Sequence, residues 1–168
     1  MISSTREERE WFLRNIAQGL VEYMGAVEPP VQVEEMLRHP PDVYGFDFGV
    51  VDMYSNLWDA TFARPPSRRG SIFVRVNLQT DQRRFALARE TLSALITSKH
   101  GRLMGLADLL MDTLQESAEY FARHLLAPEQ LVDAFRERGG KGDEFAEVFG
   151  IPEQVAEVRY IESVSAIH

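Results

Sequence analysis

Arg89, Glu90 and Ser93 lie within the stretch RFALARETLSALITSKH, residues 84–100, at the spacing i, i+1 and i+4. On a helix that spacing suits metal-assisted hydrolysis. Two histidines at i and i+4 share one face and grip a zinc ion, and the glutamate between them takes a proton from the bound water. Here the glutamate stands and both histidine places hold other residues. A guanidinium is cationic at any workable pH and only donates hydrogen bonds, so Arg89 cannot ligate a cation and repels one. Glu90 is then a relic general base or an ordinary helix glutamate paired with a neighbour, because a lone carboxylate without a metal makes no useful nucleophile for amide hydrolysis.

Few other residues offer ligands. The chain has no cysteine and four histidines, His39, His100, His124 and His168, none of them four residues from another. Thiolate sites and disulfides are excluded, and any zinc site would have to be rich in carboxylates.

The elements that must position these residues follow from periodicity. With 168 residues, 45% of them hydrophobic, the chain can bury one sizeable core. Phe12, Ile16, Leu20 and Met24 followed by Gly25 predict a first helix over 5–24. A short helix over 33–37 is halted by Pro40 and Pro41. Runs over 43–53, 57–62 and 71–76, rich in aromatic and β-branched residues, predict a small antiparallel three-stranded sheet. Thr80 or Asp81 caps the helix carrying Arg89 and Glu90, which closes near Gly101. Leu103, Leu106, Leu110, Leu114, Phe121 and Leu125 predict one longer helix that Pro128 ends.

Gly139-Gly140-Lys141-Gly142 is a hinge, since it lacks the Gly-Lys-Ser/Thr ending of a phosphate loop. Helices over 143–149 and 152–164 follow, turning at Gly150. The expected class is α+β: a sheet packed on a helical zincin-like core over 1–138, with a helix-turn-helix-like extension over 139–168 docked on it. Glu153, Glu157 and Glu162 outnumber Arg159 on the last helix, so that pair docks on the body rather than entering a DNA groove. The net charge of −8 likewise argues against nucleic acid, the only basic patches being the short 64–69 and 83–89. No run is apolar enough for a membrane span or a secretory signal, which predicts a soluble cytoplasmic protein.

Several segments together resemble the ImmA/IrrE family of zinc-dependent regulatory metallopeptidases. They are Pro30-Val31 before a short helix, the Val76-Asn77 pair at the end of the sheet, Gln82 to Ala88 leading into the motif, and Glu116 to Pro128 ending Leu-Leu-Ala-Pro. The resemblance implies that Arg89 and Ser93 stand where the two histidine ligands belong, Glu90 where the base belongs, and Glu116 or Ser117 where the third, glutamate ligand belongs. It also implies that zinc is lost. On this reading Arg89 either pairs with Glu116 or Glu119 in place of the metal or reaches solvent. The family cleaves helix-turn-helix repressors, and binding can outlive catalysis. The chain is therefore expected to be a pseudopeptidase whose cleft, lined by Val76, Asn77, Arg89 and Glu90, takes an extended peptide or a protein partner, such as a helix-turn-helix repressor. The alternatives are an active peptidase using Glu90, Glu116 and an unexpected ligand, and a self-associating structural protein using the 64–70 loop or the acidic C-terminal helices.

Overall fold

The computed structural model describes residues 4–45, 47–55, 57–66 and 68–165. Helix α1 (Arg6–Met24) starts at a capping box, in which the Thr5 hydroxyl accepts from the Glu8 N–H and the Glu8 carboxylate accepts from the Thr5 N–H, and it stops at Gly25 with φ +63°. Its most buried residues are Leu13, Ala17, Leu20 and Val21. Phe12, Ile16 and Met24 flank that stripe and are only partly buried.

After α2 (Val33–Arg38) come strands β1 (Phe48–Met53), β2 (Ala60–Ala63) and β3 (Gly70–Arg75). The sheet has the three expected strands, but it is mixed rather than antiparallel. The order is β1-β3-β2, with β3 parallel to β1 (Phe48 opposite Gly70) and antiparallel to β2 (Ala60 opposite Val74). Alternation predicts which face a strand buries and says nothing about its neighbours. The strand that buries three residues on one face, Gly70, Ile72 and Val74, takes the centre, while the four-residue β2 and β1, with exposed Val51 and Asp52, form the edges. The first predicted strand also begins later than expected, because 42–44 coil into a turn in which Pro41 O accepts from Tyr44 N.

Helix α3 (Thr80–Thr97) is capped by Gln79 rather than by Thr80 or Asp81 and ends at Ser98, short of Gly101. The Ser98 hydroxyl accepts from Gly101 N and so starts α4 (Lys99–Leu103). A Cβ at Gly101 would lie 2.0 Å from Leu95 O, so only glycine lets the chain turn this tightly. The single long helix expected from Leu103 onward is instead broken into α4, α5 (Leu106–Leu110) and α6 (Leu114–Leu126). Gly105, at φ +72°, is the first break. Helices α7 (Glu129–Glu137), α8 (Phe145–Phe149) and α9 (Glu153–Ser165) complete the chain.

The buried residues of α3, including Ala88, Leu92, Leu95 and Ile96, form one core with Phe48, Ile72 and Val74 of the sheet and with Phe121, Ala122 and Leu125 of α6. α3 packs on both β3 and α6, and α1 packs on α6. Phe135, Phe145 and Phe149 make an aromatic cluster joining α7 to α8, with Phe145 stacked on Phe149 at 4.4 Å. Polar groups tie α9 to α6: Arg159 Nε donates to Ala127 O at 2.9 Å, and Glu162 accepts from Arg123 Nε at 2.6 Å. No helix among the described residues is long and apolar enough to cross a membrane.

Candidate functional site

Arg89 and Glu90 lie on the part of α3 that passes beside β2. Arg75 N donates to Asp59 O at 2.8 Å, which fixes the phase of the β2–β3 ladder. Residues 59, 61 and 63 therefore point their backbone groups at β3, and Ala60 and Phe62 point theirs away from it. Arg89 and Asp59 occupy that outer edge. The guanidinium grips Asp59 in a fork, Nη2 to Oδ1 at 2.7 Å and Nη1 to Oδ2 at 3.2 Å, with Nη2 also 3.5 Å from Ala60 O. Its Nε donates to Glu90 Oε1 at 3.2 Å. Asp59 meanwhile accepts from Ala60 N at 2.6 Å. One cation thus serves two carboxylates and the free edge of a strand.

The electrostatics follow from that count. Burial opposes the charge on Arg89, but its hydrogen bonds and attraction to Asp59, then to Glu90, outweigh it and raise the pKa. Burial works against ionised Asp59 as well, yet the paired guanidinium holds its carboxyl below the usual value. Glu90 goes the other way. Its side chain is 17% exposed, against 40% for Asp59, so burial, with the negative charge of Asp59, pushes its pKa up despite Arg89 and the Phe62 N–H.

The structure brings together Arg89 and Glu90 and adds Asp59, which the sequence reading missed. No spacing rule links position 59 to position 89; only the hairpin fold does. Arg89 pairs neither with Glu116 nor with Glu119, and it is not free in solvent, its side chain being 22% exposed. Glu116 is 64% exposed and lies 3.9 Å from Arg6 of α1. Ser117 is buried and shares a hydrogen bond with Thr113 at 3.0 Å. Ser93 is half-buried, and its carbonyl accepts from Thr97 Oγ1 at 2.6 Å. Val76 and Asn77 are exposed on the turn after β3, and Val76 N donates to Met53 O at 3.2 Å. Because β3 is the central strand, the edge beside the motif helix is β2 rather than the strand leading to Val76.

These residues do not fit a zinc ion. The side chain nearest both carboxylates is a guanidinium, a fixed cation with no lone pair to offer. Among the described residues no three histidine, cysteine, aspartate or glutamate side chains converge as a metal set. In the combination present, the cluster crosslinks α3 to the edge of β2.

Comparison with known proteins agrees with this architecture. A search of curated proteins returns no match. Among solved structures, a Mycobacterium tuberculosis transcriptional regulator shares the fold with a TM-score of 0.57 at 20% identity, over 86% of this chain and 45% of its own length. The chain thus spans less than half of that protein. The family model for the IrrE N-terminal-like domain, Peptidase_M78, matches residues 46–160, which takes in the whole sheet, α3 with its ion cluster and α6, so the chain belongs to the IrrE N-terminal-like domain family.

Proposed function

We propose that this chain is a non-catalytic member of its family, a pseudopeptidase that works as a regulatory module by binding a protein or an extended peptide. One observation carries the reading: at the first ligand position of the motif stands Arg89, locked by Asp59 and Glu90. A zinc ion brought there would meet a fixed positive charge that already holds the two nearest carboxylates. Glu90, at the base position, accepts from Arg89 Nε at 3.2 Å, so the carboxylate that would act as base is tied to the arginine.

Metal analysis of the purified protein after dialysis against a weak chelator tests this. Zinc far below one equivalent per chain, together with no cleavage of a helix-turn-helix protein substrate, is the expected result. Near-stoichiometric zinc overturns the proposal.

A further inference from the structure

The sheet has two edges, and they are in opposite states. The outer edge of β2 is covered by Arg89. The outer edge of β1 is open. Gly70 N donates to Asp47 O and Val76 N donates to Met53 O, so the odd-numbered residues of β1 face β3, and Val50 and Asp52 turn their N–H and C=O groups outward. No backbone partner meets those groups among the described residues. A groove of about 540 Å³ runs along this edge, with Leu37, Arg38 and Pro40 on one wall and Gly49, Val50 and Arg69 on the other.

Arg69 supplies an independent observation. It precedes β3, on the far side of β1 from the groove, yet its guanidinium crosses over Gly49 to reach the groove and donates through Nη2 to Phe48 O at 2.9 Å. A Cβ at Gly49 would lie 2.7 Å from that Nη2, so glycine lets the guanidinium lie close against the strand and a larger residue would oblige it to shift. The contact uses one of five N–H donors, and no carboxylate lies within salt-bridge distance of Arg69 among the described residues. On the opposite wall Arg38 holds Glu34 only at 3.5 Å. In a chain of net charge −8, this edge presents unpaired backbone groups beside an uncommitted guanidinium.

We infer that the β1 edge docks an extended segment of a partner protein, which pairs with Val50 as an added strand and places a carboxylate on Arg69. Strand addition supplies main-chain hydrogen bonds, and a guanidinium fork selects a carboxylate in one register. The wall formed by Pro40 and the aliphatic stem of Arg38 receives an apolar side chain of the same segment. This rests on the reading of the chain as a binding module and moves the binding surface away from the motif helix.

Selection from a random linear peptide library displayed against the full chain tests it. The expected winners are β-branched peptides with an aspartate or glutamate at one fixed place. Their synthetic versions should slow hydrogen exchange at Val50, and Arg69→Ala should weaken them by about ten-fold or more. Arg69→Glu should shift the fixed place to lysine or arginine, and Gly49→Ala, which leaves the charge but displaces the guanidinium, should weaken the acidic peptides too, by less than Arg69→Ala. No enrichment, equal affinity for wild type and Arg69→Ala, or protection at β2 in place of β1 each overturn the inference. Arg69 is exposed, and circular dichroism of its variants separates lost binding from lost fold. A zinc-loaded, cleaving protein would sink the proposed function and leave this groove untouched, whereas a zinc-free protein that selects no such peptide sinks this inference alone.

Discussion

Two clusters in this molecule join arginine to carboxylate, and they serve different ends. At α3 and β2, Arg89 holds Asp59 and Glu90 at the rim of the sheet. Between α6 and α9, Glu162 holds Arg123 at 2.6 Å and His124 Nε2 at 3.2 Å, with Tyr120 stacked on His124 at 4.3 Å. The first has one cation for two acids, so Glu90 is left with a raised pKa. The second has one acid among several donors. Although burial opposes its charge, hydrogen bonds from His124 and Arg123 bring Glu162 down to about 2. His124 stays neutral more readily than usual, since burial outweighs the pull of Glu162. The lesson is that the ratio of cations to acids, more than the presence of a pair, decides whether a cluster stabilises the fold or occupies a surface.

The largest effect should come from the second cluster. Glu162→Gln removes the acid that neutralises Arg123 and fastens α9 to α6, and it should cost on the order of 3 kcal/mol in urea denaturation. A loss below about 1 kcal/mol would show that the aromatic cluster of Phe135, Phe145 and Phe149 holds the C-terminal helices by itself.

Arg89→Ala should cost less, about 2 kcal/mol, because it leaves Glu90 half-buried beside Asp59 with no counter-ion while Asp59 can still turn to water. A cost equal to that of Glu162→Gln would erase the distinction between the two clusters. Asp59→Asn should be milder still, about 1 kcal/mol or less, since Asp59 is the most exposed member and Glu90 remains to pair with Arg89.

The pH dependence sharpens the contrast. Glu162 titrates lower in the folded chain than its ordinary 4.5, so the stability it contributes is present above that value and lost as pH falls towards about 2. His124, also lowered, adds acid lability that begins as pH falls below its ordinary 6.5. In the first cluster the signs oppose. Asp59 is lowered and loses its contribution on acidification below 3.8, whereas Glu90 is raised and weakens the fold as pH climbs above 4.5. Glu162→Gln should therefore flatten the acid limb of a stability profile, and Arg89→Ala, which lets both Asp59 and Glu90 titrate higher, should flatten it less, in keeping with its smaller cost. A profile of Arg89→Ala that flattens as much as that of Glu162→Gln would contradict the charge count.

What the sequence by itself determined was local. The glycine stops of α1 and α8 sit directly after the helices they terminate, so they are legible. So is the degenerate motif, because positions 89, 90 and 93 fall on one helix whatever it packs against. The breaks that divide the stretch after Ser98 were harder to read. Gly105 lies within an apolar stripe whose period runs through it, and periodicity does not encode its φ of +72°. The tertiary structure alone decided which strand became central, and that choice closed one edge of the sheet and left the other open. It also decided that Arg89 meets Asp59, thirty residues earlier, instead of Glu116, and that Arg69 reaches across Gly49. Those pairings depend on the distances that folding creates between remote segments, and side-chain identity and spacing along the chain do not encode them.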